Sequence, residues 1–95
     1  TLEEALGVNT RVQLSEVQTG IQARILTELM LSGVTIENPA QTTIHFGAKI
    51  GRETVVRPFT FIDGNVVIGE HCVIEPFTHV IGPRTIPDNT IVKQG

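Results

Sequence analysis

Tryptophan and tyrosine are absent from these 95 residues, and four phenylalanines make up the whole aromatic content. That excludes a core built on large rings, so the interior has to come from aliphatic side chains. A single cysteine, Cys72, excludes an internal disulfide framework and reads as packing rather than as a nucleophile. Seven Lys and Arg against ten Asp and Glu leave a net charge of −3, with no basic stripe, so no nucleic-acid partner is expected. No apolar run approaches a membrane span and no signal-peptide pattern is present, so no membrane partner is expected and the setting is read as cytoplasmic. There is no Gly/Ser linker, and the length suits one small domain. The first residue is not methionine, so the sequence is read as a piece of something longer.

What is present is a strict period. From Ile44, every sixth residue is a branched aliphatic: Ile44, Ile50, Val56, Ile62, Ile68, Ile74, Val80, Ile86 and Val92. A second series runs beside it at Ala48, Thr54, Thr60, Val66, Cys72, Thr78, Arg84 and Thr90, small everywhere except Arg84. Six matches neither the helical period of 3.6 nor the strand period of 2. Fixed self-similarity of this kind points to a repeat architecture. Each short extended segment puts its small residue and its aliphatic residue on one face. Three such faces close a triangular coil of eighteen residues, and stacked coils make a parallel β-helix. The stretch holds about two and two-thirds coils, roughly 13 Å high at the spacing of stacked strands. So short a stack leaves both ends of its core open, and small chains bury too little surface to be stable alone. A cap and association with further copies are therefore expected.

The eighteen-residue harmonic is visible as Val56-Arg57-Pro58-Phe59-Thr60 followed by Ile74-Glu75-Pro76-Phe77-Thr78. Phe59 and Phe77 are expected to stack, as corner packing or as part of a subunit contact. Gly51, Gly64, Gly69 and Gly82 fall at other corners, where unusual backbone angles favour glycine. Thr60→Val is expected to be tolerated, the two side chains having nearly the same volume.

Upstream, Thr1-Leu2-Glu3-Glu4 and Thr10-Arg11-Val12-Gln13 both have capping-box form. A short helical turn ending near Gly7 and a longer helix from about Arg11 to Leu31 follow. The longer helix carries an apolar stripe at Leu14, Val17, Ile21, Ile25 and Leu29, and Gly33 is placed to stop it. The domain reading is a linker or capping helical segment over 1–33 and a β-helix over 34–95, mainly β in class. The helix is expected to pack over the open N-terminal end of the stack.

Several runs resemble one known family. They are Gly7-Val8-Asn9-Thr10-Arg11-Val12-Gln13-Leu14, then Gly33-Val34-Thr35-Ile36-Glu37-Asn38-Pro39, then Ile50 to Val56 and Ile62 to Ile74. Together they are similar to the bacterial bifunctional N-acetylglucosamine-1-phosphate uridyltransferase and glucosamine-1-phosphate acetyltransferase family, at its connecting helix and first hexapeptide-repeat coils. The resemblance implies a left-handed parallel β-helix, a homotrimer, and a UDP-sugar or sugar-phosphate substrate for the parent enzyme. It implies magnesium in the parent, with Asn9 as a ligand when the nucleotide domain is present; taken alone, Asn9 reads as a turn residue. It also implies acetyl-CoA as a possible second cofactor of the parent.

The acetyltransferase half departs from the pattern. At the position of the family's phosphate-holding arginine stands Ile81, read as a buried aliphatic, which makes no charge-assisted bond to phosphate. Arg84 is read as a local bulge or an outward loop, with a displaced phosphate contact as the other reading. His45, His71 and His79 occupy three different places in the repeat and read as surface histidines. Glu37, Glu53, Asp63, Glu70, Glu75 and Asp88 likewise read as solvated corners. No catalytic or substrate-binding residue is assigned. Two functions stand: a trimerisation module of a UDP-N-acetylglucosamine pyrophosphorylase-type enzyme, without a complete active site in this chain; and an acetyl-CoA-dependent sugar-phosphate acyltransferase domain working at trimer interfaces.

Overall fold

A computed structural model describes residues 10–94. One long helix, α1 (Thr10–Leu31), leads into ten short strands. In chain order these are β1 (Thr35–Ile36), β2 (Thr43–Ile44), β3 (Lys49–Ile50), β4 (Val55–Val56), β5 (Phe61–Asp63), β6 (Val66–Ile68), β7 (Val73–Ile74), β8 (His79–Ile81), β9 (Arg84–Ile86) and β10 (Ile91–Val92). They sort by threes into parallel sheets ordered β1-β4-β7-β10, β2-β5-β8 and β3-β6-β9. The architecture is the expected β-helix of about three coils behind one N-terminal helix. The turn from Thr1 to Gly7 proposed from sequence lies outside the described residues.

Residues eighteen apart sit directly above one another. Ile44 pairs with Ile62 and Ile62 with Val80; Ile50 pairs with Ile68 and Ile68 with Ile86; Val56 pairs with Ile74. The uppermost pairing differs, since Ile36 meets Val56, twenty residues on. A 3₁₀ turn at Pro39–Gln41 takes up the two extra residues of the first coil. All nine members of the aliphatic series are buried, joined at the top by Val34 and Ile36. Of the small series, Thr54, Thr60, Val66, Cys72 and Thr78 are buried.

The corners work differently from the glycine expectation. Left-handed backbone falls on Glu53, Phe59, His71, Phe77 and Asn89, each directly before a member of the small series. Left-handed geometry costs an L-residue about 1–2 kcal/mol. The next residue helps to offset this: Thr60 Oγ1 donates to the Arg57 carbonyl at 2.7 Å and Thr78 Oγ1 to that of Glu75 at 2.6 Å, closing each turn. Of the four glycines expected to supply unusual angles, only Gly64 does, at φ 81°. Gly51 is needed for space: a Cβ there would lie 2.6 Å from the Gly69 carbonyl carbon one coil below.

The helix ends as its sequence directs. Gly33 adopts φ 105°, its N–H bonds to Met30 O at 3.2 Å, and the Val34 N–H reaches Leu29 O at 3.0 Å. These are the two bonds of a Schellman stop, with Val34 then entering the core. The helix packs on the upper end of the stack through Leu26, which is buried, and through Ile25 and Leu29. The single apolar stripe expected along its length is not realised. Leu14, Val17 and Ile21 stay 50–58% exposed, because the helix meets the coils only from Gln22 onward and every residue from Thr10 to Ile21 is exposed.

Candidate functional site

The helix and the stack are tied together by one side chain. In a parallel stack, the central residue of each strand turns its carbonyl toward the strand above, as Ile62 does when it accepts the His45 N–H at 2.8 Å. Ile44, on the uppermost strand of its sheet, has no strand above it. Gln22 fills the vacancy: Ile44 N–H donates to Gln22 Oε1 at 3.0 Å, and Gln22 Nε2 donates to Ile44 O at 2.7 Å. A carboxamide presents the same donor and acceptor as a peptide group, so Gln22 acts as a one-residue strand. Spacing and hydrophobicity do not disclose this, since glutamine on a helix reads as a solvated residue. The one available signal is that an uncovered strand edge needs a partner.

From Gln22 toward its N-terminus, α1 leaves the stack. Thr10 to Ile21 are all exposed, and twelve helical residues run about 18 Å. Beneath this overhang lies an open groove of about 790 Å³. Its roof includes Ile21, Gln22 and Leu26; its wall includes Ala40, Thr43 and Phe61. None of the residues lining it is charged.

Phe61 also belongs to the outer flank of the stack. One coil below it, His79 meets its ring edge-on at 4.9 Å. At the neighbouring corner Phe59 and Phe77 stack as expected, 4.9 Å apart and 5° from parallel. Ile81, expected to be buried, is instead 60% exposed, because residue 81 points outward at the end of β8. This flank thus exposes Phe59, Phe61, Phe77 and Ile81, with Asp63 and His79 on the same outer face. Two residues before the stacked phenylalanines, at the same corner, charges stand in register: Arg57 reaches Glu37 above it at 3.1 Å and Glu75 below it at 3.7 Å.

The other sequence candidates remain apart. His45 stacks on Phe46, and its Nδ1 accepts the Gly47 N–H at 3.0 Å. His79 lies two strands lower in the same sheet, and His71 occupies a left-handed corner elsewhere. Cys72 is buried, its thiol 3.2 Å from the Pro87 carbonyl, as its packing role requires. Arg84 forms neither a bulge nor a loop: it pairs with Val66 in β9 on the same face as Ile86, and is exposed because none of the described strands lies beneath β9. The acids that form ion pairs do so between coils, as in Arg52–Glu70 at 3.2 Å. Asn9, the implied magnesium ligand, lies outside the described residues. Among those described, no three His, Cys, Asp or Glu side chains converge on a metal-sized site. No helix among them is long and apolar enough to cross a membrane.

Comparison with known proteins adds to this geometry. Residues 47–82 match the bacterial transferase hexapeptide family (six repeats). The chain is 49% identical over 61 residues to the bifunctional protein GlmU of Fervidobacterium nodosum, covering 64% of this chain and 14% of that protein. It is 46% identical over 68 residues to GlmU of a Geobacillus species (72% and 15%) and 47% over 66 residues to that of Brevibacillus brevis (70% and 14%). The matched stretch therefore spans about 14–15% of the length of these curated relatives. The chain carries a bacterial transferase hexapeptide repeat, folded as a β-helix and similar to a stretch of the bifunctional GlmU proteins.

Proposed function

We propose that this chain is a trimerisation module of a UDP-N-acetylglucosamine pyrophosphorylase-type nucleotide-sugar enzyme. It holds copies together and contains no complete active site of its own. The observation that carries the reading is the apolar flank: Phe59, Phe61, Phe77 and Ile81 are 44–60% exposed on a stack of only about three coils. Exposed apolar patches of this kind mark association surfaces. Ile81, where the resemblance calls for a phosphate-holding arginine, supports assembly over acetyl transfer, since an aliphatic side chain offers no charge to a sugar phosphate. The setting is cytoplasmic, as for an enzyme of sugar-nucleotide synthesis.

Sedimentation equilibrium tests it. The expected mass is three times that of the 10.3 kDa chain, and a single 10.3 kDa species refutes it. An assay for acetyl transfer from acetyl-CoA to glucosamine 1-phosphate covers the competing function. Turnover above background would establish the acyltransferase reading in its place.

A further inference from the structure

We infer that Arg84 guards the lower edge of the stack. Its cation, standing at the mouth of the lumen, keeps the open edges of β8, β9 and β10 from pairing with the same edges of a second copy. This goes beyond the association reading, since it concerns an end of the stack and not its flank.

The last ring of the small series consists of Thr78, Arg84 and Thr90, which together line the lower mouth of the stack. In the ring above, the same places are held by Thr60, Val66 and Cys72, all buried. Arg84 pairs with Val66 in register, so its side chain leaves β9 on the lumen side. It is exposed there, and none of the described acids forms an ion pair with it. Lys93 adds a second cation at the mouth, and no carboxylate lines it.

The edge itself is ready to pair. Arg84 N–H donates to Asn65 O at 3.3 Å and Gly69 N–H donates to Ile86 O at 2.9 Å, so Arg84 and Ile86 both face the coil above. Thr85 between them turns its N–H and C=O downward, where none of the described strands lies. An uncovered edge of this kind recruits strands from other chains, and an inward-pointing charge is one of the ways in which it is blunted. Seating a strand beneath β9 would enclose the Arg84 guanidinium in the tube without a counter-ion, and an unpaired buried charge is strongly disfavoured. At the upper end α1 gives protection by cover instead, through Leu26 and Gln22. With that end taken, the surface that Arg84 turns away is a second copy's lower end.

The test compares the whole chain with its Arg84→Val and Arg84→Lys variants by sedimentation equilibrium and by hydrogen exchange. Valine already fills the same place one coil above, so Arg84→Val is expected to keep the fold. Its mass should be about twice that of wild type at the same concentration, because two lower ends meeting about a twofold axis close as a pair. Exchange at the Thr85 amide should slow about tenfold or more as the edge is covered. Arg84→Lys should match wild type in both measurements. An Arg84→Val variant with the mass and the Thr85 exchange of wild type overturns the inference, and so does a rise in mass with Thr85 exchange unchanged. Doubling by Arg84→Lys overturns it too, since the charge would then not be the barrier. Each comparison is made against wild type, whether that is one chain or three, so failure of the trimer reading leaves this inference standing.

Discussion

Thr60 shows how much a single hydroxyl changes. By volume and position it is interchangeable with valine, and the sequence suggests nothing more. In the fold its Oγ1 is buried and donates to the Arg57 carbonyl at 2.7 Å across the Phe59 corner. Thr60→Val leaves that carbonyl without this partner and the left-handed corner without its tie. The loss is expected to be about 1 kcal/mol, the net value of a typical hydrogen bond. A lower urea midpoint at an unchanged slope would show it, and an unchanged midpoint would return the residue to simple packing. Glycines separate in the same way. Gly20 lies in mid-helix with nothing within 4 Å of a added Cβ, so Gly20→Ala should stabilise by about 0.5–1 kcal/mol. Gly51→Ala would push a methyl group into the backbone of the next coil and should destabilise by about 1–3 kcal/mol. Thermal melts of the two variants should move in opposite directions.

Among the elements, α1 departs furthest from a simple amphipathic helix. Its C-terminal half behaves as a cap, with Leu26 over the core and Gln22 completing the edge of β2. Its N-terminal half points its apolar residues elsewhere. Gln22→Leu keeps the size of the side chain and removes both hydrogen bonds to Ile44. Hydrogen exchange at the Ile44 amide should then accelerate by about tenfold or more, since a bond of roughly 1–1.5 kcal/mol no longer protects it. The Ile68 amide, deeper in a different sheet, should be unaffected. Equal acceleration at both positions would mean that the variant loosens the whole stack instead of opening one edge. The Glu37–Arg57–Glu75 ladder, by contrast, is half-exposed, and surface pairs of this kind contribute little to stability.

At the scale of the whole molecule, each coil is the floor of the one above, so the stack should melt as a unit. Ile62 is fully buried in the middle coil, paired to Ile44 above and Val80 below. Ile62→Asp places an unpaired carboxylate in an aliphatic interior, at a cost of several kcal/mol, comparable to the entire stability of a small domain. Loss of a cooperative thermal transition is expected. A variant that kept one would mean that residue 62 faces away from the core.

The sequence by itself determined the tube. A side-chain period of six has one geometric outcome, and Ile44 through Val92 all sit where that period puts them. It determined the helix stop at Gly33 too, because a Schellman turn is a local matter of backbone angle. The tertiary structure decided what depends on contacts between distant residues. Which glycines serve for angle and which for clearance depends on the backbone eighteen residues away. Arg84 stands on the inward face of β9 yet is exposed, because no described strand lies beneath it, and a repeat pattern read along the chain does not show which inward positions are covered. Gln22 found its role twenty-two residues downstream, at an edge whose vacancy exists only once the coils have closed. Periodicity is a property of neighbours in sequence; caps, edges and overhangs are properties of where the stack begins and ends in space.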